Sequence, residues 1–313
     1  MKQLITVTLS PAFDLHCYTD TFLAEAENLM RTVTSHVGGK GINISRALTA
    51  NGVANLAYVV LGDENGKSFE DALIAEQIPY VPFYTKGRIR ENVTVHPKVG
   101  KETRISLCGF PVDEELLSLL EADLLGRVTR DTDLALAGRL PDGISKERAI
   151  LFLERLQRAG ARLILDSNAF SKEDLRKIHP FFIKPNEQEA EKILSVTVRK
   201  IEQAAAAARR AVQDGVAEEV MVTLGDRGAV WSDGRQTLAM QPPRLEAPVS
   251  TIGAGDSTVA GFLAARAADE SVENAMREAL AYGTAACLRE GTQPPLPQDV
   301  DTIRKQIRII SLP

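Results

Sequence analysis

Residues 250–264 read STIGAGDSTVAGFLA, a glycine-rich turn that runs directly into an apolar helix. Small residues allow backbone N–H groups to crowd around an anion, and a helix start adds the positive end of its dipole. The turn can therefore hold a phosphate or the charge of a transition state. Asp256 follows the turn, where a carboxylate could accept a proton from an attacking hydroxyl. The alternative is a plain N-cap, because Asp and Ser begin many helices.

A second glycine-rich turn, residues 37–43 (VGGKGIN), also precedes an apolar helix. Lys40 and Asn43 supply donors that suit sugar hydroxyls or phosphate. The alternative is a tight connection between strand and helix. The spacing does not match the dinucleotide fingerprint GxGxxG. Residues 62–68 (GDENGKS) do not make a P-loop either, because they have one residue too few between their glycines.

Two polar segments follow short apolar strands, so they should emerge at the carboxyl edge of a sheet, where ligands of open α/β folds bind. In residues 184–189 (KPNEQE), Asn186 and Glu189 could reach a hydrated Mg²⁺ or could form a helix capping box. In residues 223–228 (TLGDRG), the glycines could let a nucleotide approach the backbone. An ordinary hairpin would have the same sequence pattern.

Basic residues gather around a hairpin pattern in residues 89–108. Arg88, Arg90 and Arg104 belong to this hairpin or its approach. Arginine suits bidentate phosphate recognition, so a converging pair would indicate a phosphorylated substrate. For Arg88 we favour a solvated strand face. The four histidines (His16, His36, His96 and His179) show no metal-ligand or triad spacing, and none is expected to be catalytic.

Apolar strand-like runs alternate with helical stretches through most of the chain. The strand candidates are residues 4–9, 56–61, 78–83, 134–137, 162–165, 181–183 and 220–223. The main helical stretches are residues 147–158, 198–212, 254–268 and 272–289. This alternation predicts an α/β fold with a largely parallel sheet covered on both faces. Residues 13–37 and 89–108 break the rhythm, and we expect them to form a small accessory sheet.

Composition and charge exclude several classes of protein. The formal charge of −5 gives no reason to expect a nucleic-acid or acidic-membrane partner. Cys17, Cys108 and Cys287 lie far apart, which predicts neither a disulfide framework nor a zinc site. No segment approaches the length of apolar sequence that a membrane span needs, and the N-terminus does not read as a signal peptide. We therefore expect a cytoplasmic protein.

The motifs occur in an order that resembles the ribokinase-like carbohydrate kinases. They are SPAFD (10–14), GGKGIN (38–43), KPNxxE (184–189), TLGxxG (223–228) and GAGD (253–256). The resemblance covers almost the whole chain. Within the family, the chain is most similar to the 1-phosphofructokinase and tagatose-6-phosphate kinase branch. This resemblance implies one kinase domain over residues 1–313, with a doubly wound, mostly parallel sheet. It also implies a small β-sheet lid from about 13–37 and 89–108, which commonly forms a homodimer interface.

The same resemblance implies roles for single residues. Asp256 would be the catalytic base, and the anion hole would be formed by the amides of Gly253, Ala254 and Gly255. ATP would lie along Lys184, Asn186, Thr223, Gly225 and Gly228. Mg²⁺ would be organised, mostly through water, by Asn186 and Glu189. The sugar hydroxyls would be held by Asp14, Gly39, Lys40 and Asn43. The substrate phosphate would be bound by Arg90 with Lys40 and Arg104.

One departure from the family pattern bears on the substrate. Relatives usually read Gly-Ser-Leu-Pro where this chain has Arg139 in place of Ser. The expected reaction is ATP-dependent phosphorylation of a ketohexose phosphate, with fructose 1-phosphate first and tagatose 6-phosphate second. The alternatives are a kinase of an unphosphorylated sugar or nucleoside and, because of Arg139, a non-catalytic sugar-phosphate sensor.

Overall fold

The structure, a computed structural model, describes residues 2–312 of the 313-residue chain and contains two β-sheets. The strands of the larger sheet are β1 (Gln3–Thr8), β4 (Leu56–Gly62), β5 (Tyr80–Thr85), β8 (Thr132–Ala137), β9 (Arg162–Asp166), β10 (Phe182–Ile183), β11 (Glu219–Thr223), β12 (Ala229–Ser232), β13 (Thr237–Gln241) and β14 (Arg308–Ile310). The strands of the smaller sheet are β2 (Ala12–Thr21), β3 (Thr32–Gly38), β6 (Arg90–Val99) and β7 (Thr103–Ser106).

Helices connect the strands of the larger sheet and cover both of its faces. They are α1 (Lys40–Ala50), α2 (Gly66–Ala75), α3 (Glu114–Arg127), α4 (Lys146–Arg158), α5 (Lys172–Ile178), α6 (Glu187–Leu194), α7 (Ile201–Gln213), α8 (Ala254–Ala267), α9 (Val272–Ala286) and α10 (Pro297–Arg304). Helix α7 begins three residues later than the sequence pattern predicts. The reason is that the amides of Arg199 and Lys200 donate to the side chain of Gln203 and cap the helix there.

The larger sheet has the order β14-β13-β12-β11-β10-β9-β8-β1-β4-β5. All strands from β5 to β11 in this order run parallel, and β12, β13 and β14 add antiparallel pairs at one edge. The mostly parallel, doubly wound α/β fold is therefore confirmed. The chain leaves β1 toward β4 and later returns to β8 on the other side of β1. Ligands of such folds bind at the carboxyl edge near this reversal.

The smaller sheet combines the two chain segments that break the βα rhythm. Its order is β3-β2-β6-β7, with β2 parallel to β6 and β6 antiparallel to β7. The predicted accessory sheet and hairpin are confirmed. The parallel register sets Asp14 opposite Asn92, and so brings together side chains that are far apart in the sequence.

Glycines in the second glycine-rich turn let α1 begin directly against the end of β1. Gly39 has φ +117°, and a Cβ on it would come within 2.8 Å of the Thr8 side chain. A Cβ on Gly41 would lie 2.3 Å from Thr8 Oγ1 and 3.0 Å from the carbonyl oxygen of Val7. Because neither position can accept a side chain, α1 packs tightly on β1 and projects Lys40 and Asn43 toward the carboxyl edge of the sheet.

Helix α8 packs beside α1 at this edge. Phe262 of α8 stacks on Phe182 of β10 with ring centroids 4.2 Å apart, and both side chains are fully buried. The next helix, α9, lies so close that a Cβ on Gly261 would be 2.5 Å from the carbonyl oxygen of Glu278. These contacts fix the start of α8, which carries Asp256. Within the described part of the chain, no helix is long and apolar enough to cross a membrane.

We expect Gly261→Ala to lower the free energy of unfolding by about 1–3 kcal/mol, because the new methyl group meets the backbone of α9. The matched control is Gly126→Ala in α3, where an added Cβ has no neighbour within 4 Å. That change should raise stability by about 0.5–1 kcal/mol, since alanine favours a helix over glycine. Urea unfolding of both variants measures the difference. Equal stabilities would contradict close packing of α8 and α9.

Candidate active site

Asp256 lies in the first turn of α8, and its side chain does not cap that helix. The carboxylate Oδ2 accepts a hydrogen bond of 2.8 Å from the Asn43 side chain on α1. Gly253 occupies the N-cap position with φ +78°, a conformation that favours glycine. Helix geometry leaves the first amides of α8 without intrahelical acceptors. Of the three predicted amides, that of Ala254 donates to Thr251 O over a long 3.3 Å.

Two lysines and a second carboxylate lie beside Asp256. Lys40 Nζ is 3.0 Å from Oδ1 of Asp166, and Lys184 Nζ is 4.0 Å from Oδ2 of the same residue. A Cβ on Gly255 would lie 3.3 Å from Lys184 Nζ, so this ammonium group sits directly against the glycine-rich turn. Asp166, Lys184 and Asp256 are all buried.

This arrangement separates the pKa values of the two carboxyl groups. Burial, assisted by the negative charge of Asp166, raises the pKa of Asp256 to about 6, although Lys40, Asn43 and Lys184 favour its ionised form. Burial also acts to raise the pKa of Asp166, but Lys184 and Lys40 outweigh it and the pKa falls below its usual value. Asp166 is therefore the permanent anion, whereas Asp256 can exchange a proton near neutral pH.

Asp14 and Arg90 meet at the inner face of the smaller sheet. Asp14 Oδ1 accepts a 2.8 Å hydrogen bond from Asn92, and Arg90 donates to the carbonyl oxygen of the same Asn92 side chain at 2.8 Å. Arg104 approaches Asp14 at 3.5 Å. Gly38 lies under the carboxylate, since a Cβ there would come 2.3 Å from Asp14 Oδ2. Asn92 thus links the two residues expected to bind the sugar and its phosphate.

Positive charge exceeds negative charge around Arg90. Burial lowers the pKa of Arg90, and the next largest effect is the positive charge of Arg139, followed by the opposing effect of Asp14. Arg104 adds a further positive charge. Arg90 Nε is buried without a hydrogen-bond partner among the described residues. An anion could neutralise these guanidinium groups and occupy this donor.

The residues expected along a nucleotide lie at the ends of β10 and β11. Asn186 forms a parallel β-bridge with Thr223, and the Thr223 amide donates to Pro185 O at 3.0 Å. The turn that follows closes with a 2.8 Å bond from Leu224 N to Gly228 O and leads into the antiparallel hairpin of β11 and β12. The hairpin alternative is realised here, and it presents Gly225 and Gly228 at the carboxyl edge.

Asn186 and Glu189 form the capping box of α6. Asn186 Oδ1 accepts from the Glu189 amide, and Glu189 Oε2 accepts from the Asn186 amide, both at 2.9 Å. The other carboxylate oxygen of Glu189 takes no part in this box. Glu189 also lines a cavity of about 400 Å³ together with Asp166 and Lys184. Oxygen ligands at the rim of such a cavity fit a hydrated Mg²⁺. Among residues 2–312, no group of three or more His, Cys, Asp or Glu side chains could hold a metal ion.

The structure brings the predicted residues of the two glycine-rich turns and of the KPNxxE and TLGxxG segments to one edge of the larger sheet, and it places Asp14, Arg90 and Arg104 on the smaller sheet. Two further residues of the site were not identified by the motifs. Asp166 ends β9 as a single carboxylate, and Asn92 lies within a strand-like run, so neither gives a local signal. Only the polar ending of a buried strand could have indicated Asp166. Arg88 pairs with Glu91 on the exposed surface, in agreement with the solvated face expected for it.

Comparison with known proteins identifies the family. Residues 2–299 match the family described as pfkB family carbohydrate kinase. The chain is 28% identical to 1-phosphofructokinase of Haemophilus influenzae, with 84% of each chain covered. It is also 28% identical to ATP-dependent 6-phosphofructokinase isozyme 2 of Escherichia coli, over 94% of this chain and 95% of the relative. Identity to Escherichia coli 1-phosphofructokinase is 29%, with 91% of each chain covered.

Solved structures agree with this assignment. Phosphofructokinase-2 from Escherichia coli in complex with fructose-6-phosphate superimposes with a TM-score of 0.89 at 27% identity, covering 97% of this chain and 99% of that one. A putative phosphofructokinase from Staphylococcus aureus matches with a TM-score of 0.82 at 30% identity, covering 98% of each chain. The family match, the sheet order and the GAGD turn at α8 agree, and the chain belongs to the pfkB family of carbohydrate kinases.

Proposed function

We propose that this protein transfers the γ-phosphoryl group of ATP to a hydroxyl of fructose 1-phosphate, which gives fructose 1,6-bisphosphate and ADP. The observation that carries the proposal is Asp256 at the start of α8, with a pKa raised to about 6. A base with that pKa is mostly ionised at neutral pH, yet basic enough to accept a proton in the transition state. The 1-phosphofructokinase relatives support this substrate.

In the proposed reaction Asp256 takes the proton of the attacking hydroxyl while a new O–P bond forms to the γ-phosphorus. The bond to the bridging oxygen breaks, ADP leaves, and Asp256 later releases the proton to solvent. Charge that develops on the transferred group faces the amides of Gly253, Ala254 and Gly255, and Ala254 would exchange its long bond to Thr251 for the oxyanion. Lys184, beside Gly255, adds positive charge at the same place.

The nucleotide would lie along the carboxyl edge of β10 and β11. Its contacts in this proposal are Lys184, Asn186, Thr223, Gly225 and Gly228. Mg²⁺ bound to the ATP would shield the phosphate charge, and Glu189 with Asn186 would hold its water ligands while retaining their capping box. The cavity beside Glu189 leaves space for these waters.

The sugar phosphate would lie between α1 and the smaller sheet. Asp14, Gly39, Lys40 and Asn43 would contact its hydroxyls. The surplus of positive charge formed by Arg90, Arg104 and Arg139 supports a phosphorylated substrate rather than a free sugar. Asn43, which already donates to Asp256, would orient the hydroxyl toward the base. We further propose that the smaller sheet acts as a lid that excludes water from the γ-phosphate.

The smaller sheet would also form a homodimer interface. Val33, Ile105 and Leu107 on or beside its strands are exposed, and apolar groups on a sheet surface favour contact with a partner. We also propose that the reaction takes place in the cytoplasm, where ATP is available.

Fructose 6-phosphate is the second candidate substrate. The relative that acts as a 6-phosphofructokinase is as similar to this chain as the 1-phosphofructokinase of Haemophilus influenzae. A coupled assay over fructose 1-phosphate, fructose 6-phosphate, tagatose 6-phosphate and unphosphorylated fructose distinguishes the candidates. The proposed function requires the highest kcat/KM with fructose 1-phosphate. Binding of a sugar phosphate with no ATP consumption would instead identify a sensor.

We expect Asp256→Asn to lower kcat by about two to four orders of magnitude, the usual scale for loss of general base catalysis. The variant should unfold at a higher temperature than the parent, because the neutral amide removes a buried carboxylate whose raised pKa disfavours its ionised form. Steady-state kinetics and thermal unfolding measure the two effects. Near-normal turnover would refute the role of Asp256.

We expect kcat/KM to rise with pH up to about 6 and then to level off. Asp256 is the base only when ionised, and its pKa is raised to about 6, so protonation removes activity below that pH. Initial rates at low substrate concentration between pH 5 and pH 8 test this. A profile that stays flat down to pH 5 would contradict the assignment.

We expect Arg90→Ala to raise KM for the phosphorylated sugar by about 10- to 100-fold, the effect of losing a charge-assisted contact with phosphate. The matched control is Arg88→Ala, which removes an exposed guanidinium that pairs with Glu91. KM for ATP should not change in either variant. An unaltered sugar-phosphate KM in Arg90→Ala would exclude Arg90 from phosphate binding.

A further inference from the structure

Three histidines of the smaller sheet lie together in the space between that sheet and the main domain. His16 Nδ1 and His96 Nε2 are 2.9 Å apart, and their rings are nearly parallel, with an interplanar angle of 18° and centroids 5.2 Å apart. His36 meets His16 edge-on at 6.2 Å. His96 Nδ1 lies 3.2 Å from the half-exposed carboxylate of Glu102. A fully buried imidazole, that of His16, is thus connected through His96 to a carboxylate at the surface.

The two contacts determine where the protons of the neutral rings lie. The negative charge of Glu102, 3.2 Å away, favours a proton on His96 Nδ1 rather than on Nε2. His96 Nε2 then has a lone pair and accepts from the N–H of His16 Nδ1. As a consequence, His16 Nε2 carries no proton. This atom is buried without a hydrogen-bond partner among the described residues.

His16 Nε2 faces the segment that follows α9. A Cβ on Gly291 would lie 2.7 Å from it, which shows how closely ring and backbone approach. The next residue, Thr292, has its Cα 3.4 Å from the position of a Cβ on Gly253, the first residue of the turn before Asp256. His16 also follows Asp14 by two residues on β2, so both side chains point to the same face of the sheet. His16 therefore lies between the sugar site and the turn at α8.

We propose that His16 is a positioning residue that docks the smaller sheet on residues 290–292 with its Nε2 unprotonated, and so holds Asp14 in place relative to Asp256. The kinetic part of this inference rests on the proposed function, whereas the docking does not. A proton on Nε2 would place a cation against the Gly291 backbone without an acceptor. Docking should then weaken, and Asp14 should lose its position over the sugar.

The charges around His16 give the sign of the pH dependence. Burial is the largest effect and lowers the pKa of His16. His96 and His36 lower it further, whereas Asp14 and Glu102 act in the opposite direction. Glu290 is the acidic group of the facing segment and acts on the neighbouring Tyr18. In an undocked sheet the pKa of His16 would be near its ordinary value of about 6.5, and in the docked sheet it is lower. Docking is therefore complete above about pH 7 and weakens as the pH falls below 6.5.

The pH dependence of KM for the accepted sugar phosphate tests the role. In the parent protein, protonation one pH unit below the undocked pKa lowers the docking equilibrium constant by up to about tenfold, so KM should rise between pH 7.5 and pH 5.5 by at most that factor. His16→Asn retains a donor to His96 but cannot titrate or reach Gly291. Its KM should be raised at pH 7.5 and should rise less than the wild-type KM toward pH 5.5, where the rise that remains comes from protonation of the substrate phosphate, with its second pKa of about 6. A wild-type rise of KM in this variant would overturn the proposal.

His179→Asn is the matched control, because His179 is an exposed helix C-cap in the left-handed region that asparagine tolerates. It should keep the wild-type KM profile, and a flat profile there would overturn the assignment to His16. The fall in kcat/KM caused by Asp256 should remain in both variants.

Histidine ¹⁵N NMR of the parent protein gives a test that needs neither a variant nor activity. At pH 7.5 the His16 ring should carry its proton on Nδ1, with Nε2 unprotonated, and should titrate below 6.5. An Nε2-protonated ring or an ordinary pKa would overturn the docking. The docking and the proposed function can fail separately. If NMR shows the expected tautomer but the protein phosphorylates no sugar of the panel, the docking is supported and the proposed function is refuted.

Discussion

Two buried carboxylates lie beside two lysines at the carboxyl edge of the larger sheet. The lysines interact more closely with one carboxylate than with the other, and the site depends on this difference. Asp166 lies within 4.0 Å of both Lys40 and Lys184, whereas Asp256 has a hydrogen bond from the neutral Asn43. Two adjacent carboxylates in a low-dielectric site cannot both be fully stabilised as anions. The one with the weaker partner keeps the higher pKa and becomes available for proton transfer.

The fold enforces this arrangement through close backbone contacts rather than through the charges themselves. Helix α1 can bring Lys40 and Asn43 to the edge only because Gly39 and Gly41 lie directly against β1. Helix α8 is fixed from the other side by Phe262 on β10 and by its contact with α9 at Gly261. Desolvation of Asp256, the main cause of its raised pKa, follows from the packing of these two helices against each other.

The sequence predicts the parts of the site that require an unusual backbone conformation. It does not predict residues whose role depends only on a side-chain partner from a distant part of the chain. The GGKG and GAGD turns could be recognised because glycine there marks a local backbone requirement, a φ of +117° at Gly39 and of +78° at Gly253. Asp166 and Asn92 are ordinary residues whose importance comes from strands far away in the sequence. For Asn186 and Glu189 the sequence pattern allowed either a capping box or a metal site. The structure forms the capping box and leaves one carboxylate oxygen of Glu189 outside it, so a role in metal binding remains compatible with the cap.

Positive charge is in excess beside the smaller sheet, whereas at Asp256 the unfavourable interaction is between two negative charges. Asp14 is the acidic group among Arg90, Arg104 and Arg139, and Asn92 already occupies one of its oxygens. Arg139 increases the repulsion that Arg90 experiences without a ligand. A dianionic phosphate removes this repulsion, and an uncharged sugar does not, so part of the binding free energy depends on the phosphate. Under the proposed function, selection of a phosphorylated substrate would depend on these like charges, which the β6–β7 hairpin and the segment after β8 bring together, in addition to the shape of the sugar pocket.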